Sequence, residues 1–298
     1  MIPDPDTSRM LRTIALLAFA LCIVVDAGGC DSGKHAPPGK RRIISVGGAV
    51  TETVFALGAG DEVVAVDTSS VYPDGVHRLP KVGYQRTLAT EGILALSPDL
   101  VIVSDEAGPS SALEQLRAAG VRIERMPPAK TLDAAVARIV AVGAAIDRPA
   151  TALADRVRRD SEAAAAHVMP DGPRFVLVYA RGAGTLMIAG GDTGGSAMVE
   201  LAGGRNAIPE VHGFKPLSAE VLIAAAPDLL VVPARGLATL GGEAGLLALP
   251  GVSDTPAGKH RRIVAFDDLL LLGFGPRLPE AIEDLSRRLV ARTTAALP

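Results

Sequence analysis

A phenol and a guanidinium stand two residues apart in the segment 82–86, which reads VGYQR. They belong to Tyr84 and Arg86, and Tyr84 is one of three tyrosines in a chain with only 3% aromatic residues. A free phenol has a pKa of about 10 and is protonated at neutral pH. A guanidinium nearby favours the phenolate, because opposite charges attract. Either the phenol oxygen of Tyr84 is an activated ligand atom, or Tyr84 packs in a loop with its hydroxyl in water.

Two glutamates occupy matched positions in a repeated unit. Residues 87–103 read TLATEGILALSPDLVIV, and residues 216–232 read PLSAEVLIAAAPDLLVV. Glu91 and Glu220 fall in the first turn of the helix predicted in each copy. There an acidic side chain can bind a partner, or it can simply complement the helix dipole by roughly 0.3–1 kcal/mol. Residues 54–60 and 198–204 form a second echo in the same order, which indicates two related lobes.

The elements around these residues alternate between strands and helices. In the repeated unit, Pro98 ends a short helix and the apolar run 100–103 predicts a strand that is covered on both faces. Strands are also predicted at 42–46, 63–67, 121–123, 174–180 and 263–266, and helices at 112–119, 131–168 with a break near 147–149, and 279–292. This alternation predicts an α/β fold with two lobes, each a mainly parallel sheet flanked by helices, and a ligand cleft between them.

The domain boundaries follow from the position of the two copies. Residues 42–147 form the predicted N-terminal lobe, 148–170 a single long linking helix, and 171–298 the C-terminal lobe. A helical linker is stiff, so we expect modest lobe motion. The net charge of -3 and the absence of long basic runs argue against a nucleic-acid partner.

The N-terminal segment predicts export. Residues 1–30 contain an apolar run, 14–25, that is short for a membrane span and is followed by small residues directly before Cys30. This arrangement is similar to a bacterial lipoprotein cleavage site, with cleavage without lipidation as the alternative. The only other cysteine, Cys22, lies inside the signal, so the mature body has no thiol. Residues 31–41 are polar and rich in Pro and Gly, as in a flexible tether to a membrane surface.

Five motifs in order connect the chain to a known class of proteins. They are ISVGG at 44–48, VGYQR at 82–86, AGGDT at 189–193, GFKPLS at 213–218 and DDLLLLGFGPR at 267–277. With the export signal and the two-lobe pattern, the chain resembles the helix-linked substrate-binding proteins of bacterial ABC importers, and most closely their haem-binding branch. The resemblance covers about residues 41–290.

The resemblance implies roles for particular residues. Tyr84 matches the tyrosine that ligates ferric haem iron, and Arg86 would stabilise its phenolate. Arg181 and Arg235 are candidate partners for the haem propionates, with Lys215 and Arg277 as weaker ones. His212 is interpreted as a surface histidine.

The resemblance also implies partners and a cellular location. Glu91 and Glu220 would dock one lobe each on arginines of an ABC permease, which works with its ATPase. The protein would be a monomer in the periplasm or on the outer face of the cytoplasmic membrane, with haem as its transported ligand.

Two alternatives stay open at this point. A ferric siderophore or cobalamin would use the same fold and docking surface with a different pocket. The second alternative, from a different functional class, is an exported enzyme. It is considered because GGDTGGS at 190–196 resembles a phosphate-binding loop or a nucleophile loop. It lacks the Gly-Lys-Ser/Thr ending of a P-loop and the spacing of a nucleophile elbow, and Ser196 has no evident base.

Overall fold

The computed structural model describes residues 40–169, 171–181 and 185–294. The strands are β1 Ile43–Val46, β2 Val63–Val66, β3 Gly83–Tyr84, β4 Thr87–Leu88, β5 Leu100–Val103, β6 Arg122–Arg125, β7 Arg174–Arg181, β8 Thr185–Ala189, β9 Arg205–Asn206, β10 Phe214–Pro216, β11 Leu229–Pro233 and β12 Ile263–Phe266. The helices are α1 Gly48–Ala56, α2 Thr90–Leu94, α3 Ser110–Ala118, α4 Leu132–Ala145, α5 Thr151–Ala165, α6 Gly194–Leu201, α7 Ala219–Ala225, α8 Ala234–Thr239, α9 Gly242–Leu247, α10 Pro256–Lys259, α11 Asp268–Gly273 and α12 Leu278–Thr294. Short 3-10 turns, Gly60–Glu62 and Asp74–Arg78, precede and follow β2.

The first sheet has the strand order β2-β1-β5-β6, and all of its pairs are parallel. Its central strands β1 and β5 are fully buried, as continuous apolar strands in parallel sheets should be. Helices α1 and α4 cover one face through residues such as Val54 and Val142. Helices α2 and α3 cover the other face through Ile93 and Leu113.

The second sheet has the order β10-β8-β7-β11-β12, with β9 also paired to β7. Strands β9, β7, β11 and β12 pair in parallel, whereas β8 and β10 pair antiparallel. One face packs on α5, α6 and α12 through Val157, Met198 and Leu285. The other face packs on α7 and α9 through Leu222 and Leu246. The predicted class, a sheet flanked by helices in each half, is confirmed.

Matched aspartates of the repeat perform the same task in both halves. Asp99 precedes β5, and its carboxylate accepts a hydrogen bond from the backbone N–H of Arg42 at 2.8 Å. Asp228 precedes β11, and its carboxylate accepts one from the N–H of Arg174 at 2.9 Å. Each aspartate therefore ties the start of one central strand to the start of its neighbour. This equivalence shows that the sequence repeat is a structural repeat.

Helices α4 and α5 lie between the two sheets in the chain, and α4 contributes to both cores. Ala135 and Ile139 of α4 pack in the core of the second sheet, whereas Val142 and Ala145 pack in the core of the first. Helix α5 packs against α4 and α12. The boundary of the linking helix at 148–170 stays a prediction, but the packing of α4 already joins the two halves firmly.

The predicted export signal 1–30, the lipidation candidate Cys30 and most of the tether lie outside the described residues. Among the helices that the structure describes, none combines the length and the apolar character that crossing a bilayer requires.

Candidate ligand-binding cleft

A cavity of about 560 Å³ lies where strands of both sheets end. Much of its lining comes from residues that follow the carboxyl ends of parallel strands, where ligand sites form in α/β proteins. Examples are Gly47 after β1, Ser69 after β2, Ser104 after β5, Arg235 after β11 and Asp268 after β12. We refer to this cavity as the cleft.

Tyr84 lies half-buried in the cleft on a two-stranded hairpin formed by β3 and β4. The segment around Tyr84 thus contains a short β ladder, in which Tyr84 pairs with Thr87. The hairpin is fastened to the first lobe by the N–H of Thr68, which donates to the carbonyl of Gly83 at 2.9 Å. The N–H of Gly108 donates to the carbonyl of Gln85 at 2.9 Å. The hairpin that carries Tyr84 is therefore held in place by backbone hydrogen bonds.

Arg86 lies beside Tyr84 and forms an ion pair with Glu106, Nη2 to Oε1 at 2.6 Å. The other carboxylate oxygen of Glu106 accepts from Gln85 Nε2 at 3.1 Å. Gln85 Oε1 accepts in turn from Ser104 Oγ at 3.0 Å. The loop after β5 therefore holds both residues that follow Tyr84. Glu106 was not predicted from the sequence, because only the fold brings it near residue 86.

The charge of Arg86 is stabilised in this setting. Partial burial acts to lower the pKa of Arg86, but the carboxylate of Glu106 outweighs it, and Tyr84 and Tyr179 add smaller attractions. The net result is a raised pKa, so Arg86 stays a cation. The two tyrosines that line the cleft thus share one guanidinium as their electrostatic neighbour.

An aromatic pair from the second lobe forms an apolar part of the same cleft. Tyr179 of β7 and Phe214 of β10 have ring centroids 5.3 Å apart with an interplanar angle of 50°. Phe214 is 38% exposed, a large fraction for a phenylalanine. Met187 of β8 lies alongside in the lining. This group offers an apolar surface to a ligand.

The cations of the second lobe differ in where they lie. Arg235 is exposed and lines the cleft; its backbone N–H donates to Asp268 Oδ1 at 3.1 Å, and its guanidinium has no ion-pair partner among the described residues. Arg181 ends β7, but its side chain lies outside the described part of the chain. Lys130, between β6 and α4 in the first lobe, also lines the cleft and donates to the carbonyl of Asp192 at 2.9 Å. Lys130 was not predicted from the sequence.

A further cation of the cleft, Arg138, was also missed. It lies on α4, is 6% exposed and lines the cavity. The signal that would have found it is a lone charge between Ala135 and Ile139, on the apolar side of a predicted helix.

Other candidates lie elsewhere. Arg277 stacks on the ring of Tyr72 at 3.6 Å and pairs with the buried Glu52, Nε to Oε1 at 2.7 Å, away from the cleft. His212 is exposed at the surface, with Nδ1 3.7 Å from the carboxylate of Asp192. The exposed side chain of Lys215, on β10, does not line the cleft either.

The two matched glutamates are exposed on short helices outside the cleft lining. Glu91 lies in the first turn of α2, and its carboxylate has no partner among the described residues. Glu220 lies in the first turn of α7 and accepts from Ser218 Oγ at 2.5 Å. That hydrogen bond is the main cause that lowers the pKa of Glu220. Both carboxylates are thus accessible at the surface.

Ser196 is not placed as a nucleophile. Its side chain is fully buried, and its Oγ donates to the carbonyl of Ala189 at 3.3 Å. Its N–H donates to the hydroxyl of Thr193, which caps α6. The GGDTGGS segment therefore shapes the start of a helix.

The sequence matches the family described as periplasmic binding protein over residues 43–269. The chain belongs to this family. Among solved structures, the periplasmic haem-binding protein RhuT from Roseiflexus sp. RS-1 is 44% identical with a TM-score of 0.82, covering 86% of this chain and all of RhuT. The periplasmic haem-binding protein BhuT, solved in complex with two haems, is also 44% identical, with a TM-score of 0.80 and the same coverage.

Two sequence relatives of this periplasmic binding protein support the same family. One of them is named for a ligand other than haem. The ABC transporter substrate-binding lipoprotein YvrC of Bacillus subtilis is 27% identical over 261 residues, which are 85% of this chain and 81% of YvrC. The cobalamin-binding protein of Halobacterium salinarum is 29% identical over 199 residues, 64% of this chain and 53% of that protein. The predicted family resemblance is confirmed, and these proteins are named for binding rather than for catalysis.

Proposed function

We propose that this protein captures haem outside the cytoplasm and delivers it to an ABC permease. The observation that carries the proposal is Tyr84, half-buried in a cleft between two α/β lobes, with the guanidinium of Arg86 next to it. The 44% identity to RhuT and to BhuT supports haem as the ligand.

The lining of the cleft fits the chemistry of haem. A phenolate is a hard anionic donor that suits ferric iron, and tyrosine is an established axial ligand. Arg86 supplies a cation for that phenolate, and Glu106 holds Arg86 in place. The pair of Tyr179 and Phe214 offers an apolar surface for the porphyrin. Arg235 at the exposed rim has a guanidinium available for a propionate.

The stoichiometry in this proposal is one ferric haem per chain, held by Tyr84. BhuT was solved with two haems, and this cleft contains a second tyrosine, Tyr179. A hemin titration that ends at one equivalent supports the single site. An endpoint at two equivalents would replace it with a two-haem cleft.

Cobalamin is the second candidate, favoured by the relative in Halobacterium salinarum. It would occupy the cleft without a bond between Tyr84 and iron. A ferric siderophore, the other alternative, differs from haem in the same way. Competition of each compound against hemin for the wild-type protein ranks the three ligand classes.

The cellular location of the protein is also part of the proposal. We place the mature protein outside the cytoplasm, anchored through a lipid on Cys30, and as a monomer. The name of YvrC as a lipoprotein supports the anchor. Cys30→Ser should move the protein from the membrane fraction to the soluble fraction. Recovery of the variant in the membrane fraction would contradict lipidation at this cysteine.

The decisive experiment replaces Tyr84 by phenylalanine, which keeps the ring and removes the donor oxygen. Wild-type protein mixed with hemin should show the charge-transfer absorption of a ferric phenolate. Tyr84→Phe should lose this band and much of the affinity. Tyr72→Phe is the matched control, because Tyr72 lies outside the cleft lining, and it should keep the band. An unchanged spectrum in Tyr84→Phe would refute the assignment, and Tyr179 would be tested next.

A further inference from the structure

Asp67 is a fully buried acid that directly follows β2 and lies outside the cleft lining. Its carboxylate accepts four hydrogen bonds from the described part of the chain. The backbone N–H of Gly47 donates to Oδ1 at 2.8 Å, and the backbone N–H of Ser69 donates to Oδ2 at 2.8 Å. The hydroxyl of Ser70 donates to Oδ1 at 2.6 Å, and that of Ser69 donates to Oδ2. A carboxylate has acceptor sites for all four donors, whereas the amide of an asparagine has a single acceptor oxygen.

The donors that surround Asp67 belong to two neighbouring segments of the cleft. Gly47 is the N-cap of α1, Ser69 lies in the loop after β2, and both line the cavity. Ser70 extends the network to α1, because its hydroxyl oxygen is 2.8 Å from that of the buried Thr51. Asp67 therefore fixes the loop after β1 and the loop after β2 relative to each other.

The residues on either side of this buried aspartate hold the chain that leads to Tyr84. The N–H of Val82 donates to the carbonyl of Val66 at 3.0 Å, and the N–H of Thr68 donates to the carbonyl of Gly83 at 2.9 Å. Because Gly83 directly precedes Tyr84, a shift of the loop after β2 would change the point at which the phenol enters the cleft.

We propose that Asp67 is a positioning residue for the iron ligand, and that it acts by fixing the loop 67–70 against the start of α1. This inference rests on the proposed function, in which Tyr84 binds ferric iron. Asp67 does not face the cavity, so its effect on the ligand passes through the loop and the hairpin. A bond to a metal demands a precise position of the donor atom, whereas apolar contacts with a porphyrin tolerate small displacements.

The test compares hemin with metal-free protoporphyrin IX, which has the same ring and carboxylates but no iron. Asp67→Asn keeps the shape of the side chain, but its NH2 group must face the N–H of Gly47 or that of Ser69, and the loop must shift. Hemin affinity, measured by absorbance titration, should fall by about 10- to 100-fold, the range for loss of a group that orients a metal ligand. The phenolate band should weaken or move. Protoporphyrin affinity, measured by fluorescence quenching, should fall much less, whereas equal losses for both ligands would overturn the proposal.

A double variant tests whether Asp67 acts through Tyr84. In the Tyr84→Phe protein the iron bond is already lost, so adding Asp67→Asn should have little further effect on hemin affinity. Residues that act through one another show such non-additive effects, whereas independent residues add. A full additive loss in the double variant would show that Asp67 does not act through Tyr84.

Asp99→Asn is the matched control in the same lobe. Its carboxylate also accepts a backbone N–H, that of Arg42 at 2.8 Å, but at the opposite end of the sheet and outside the cleft lining. This variant should keep the hemin affinity and the band. Thermal unfolding checks that each variant folds. If Asp67→Asn does not fold, Ser70→Ala decides, because it removes one of the four donors: an unchanged ratio of hemin to protoporphyrin affinity would overturn the proposal.

The hemin spectrum of the wild-type protein separates this inference from the proposed function. A wild-type phenolate band, with hemin affinities that are equal in Asp67→Asn and Asp99→Asn, would reject only the positioning role of Asp67. A wild-type protein without the band would reject Tyr84 as the iron ligand, and the positioning role with it.

Discussion

Gly47 lies at the point where β1, the start of α1 and the loop after β5 come together. Its φ of 103° is in the region that side chains other than glycine rarely adopt. A Cβ here would be 2.7 Å from Cβ of Ser104 and 3.2 Å from Oε1 of Gln85. The absence of a side chain therefore lets α1 start close to the network that holds Arg86.

Gly47→Ala should destabilise the protein by roughly 2–3 kcal/mol, because backbone strain and a steric clash act together. It should also weaken hemin binding, since Ser104 and Gln85 must move. Gly58→Ala is the control: Gly58 has a φ of 76°, but its Cβ would meet nothing within 4 Å. Chemical denaturation gives the two stabilities. Equal losses in both variants, with hemin affinity unchanged, would show that the contact is unimportant.

At the scale of elements, α1 is joined to the segment before α12 by a buried ion pair. Glu52 of α1 is 4% exposed and accepts from Arg277, whose guanidinium also stacks on Tyr72. Burial raises the pKa of Glu52 above its ordinary value of 4.5, although Arg277 opposes the shift. A helix of the first lobe is thereby held against the second lobe, away from the cleft lining.

The raised pKa predicts a pH dependence. The folded protein holds a proton on Glu52 more tightly than the unfolded chain does. This contribution to stability is fully present below about pH 4.5 and is lost as the pH rises through the higher folded value. The free energy of unfolding of wild-type protein, relative to Glu52→Gln, should therefore fall between pH 4 and neutrality. Urea denaturation across that range measures it, with the exposed Glu91→Gln as control. A rising difference would contradict the shift.

The matched glutamates of the repeated helices α2 and α7 give a second prediction at the scale of elements. Glu91→Ala and Glu220→Ala should each weaken haem transport or binding to the permease and leave hemin affinity unchanged, because both residues lie outside the cleft lining. Glu114→Ala, an exposed glutamate of α3, is the matched control and should change neither. Loss of hemin binding in either docking variant, with transport falling in parallel, would contradict the docking role.

At the scale of the whole molecule, the two lobes share a helix and not a flexible strand. Helix α4 contributes Ile139 to the core of the second sheet and Val142 to the core of the first. Relative motion of the sheets would have to disturb packing on this helix, which is costly in a close-packed interior. The cleft should therefore be largely preformed before the ligand arrives.

Small-angle scattering tests this expectation. Curves of the mature protein without hemin and saturated with hemin should nearly superimpose, because a shared helix resists large hinge closure. The control is the Tyr84→Phe protein measured with and without hemin, which accounts for any contribution of unbound ligand. A marked compaction of the wild-type protein on binding would contradict the stiff connection.

Much of the fold could be read from local patterns. Apolar runs and Pro-Asp stops indicate strands and helix ends over a few residues, and the repeat carries them into both lobes. Even backbone geometry recurs: Ser97 and Ala226, which precede the matched prolines, have φ values of 43° and 44°. The position of Tyr84 and Arg86 in one cleft follows from the same local information, because they are neighbours in the chain.

Pairs of residues that are distant in the chain depended on the tertiary structure. Glu106 pairs with Arg86, and Arg277 pairs with Glu52 at a sequence separation of 225 residues. No local pattern encodes such pairs, because they form only after strand order and helix packing bring distant loops together. For the same reason the sequence left Arg277 as a candidate for the ligand and did not reveal Arg138. The types of chemistry available were thus determined by the sequence, whereas the arrangement of the cations around the ligand was decided by the packing of the two lobes.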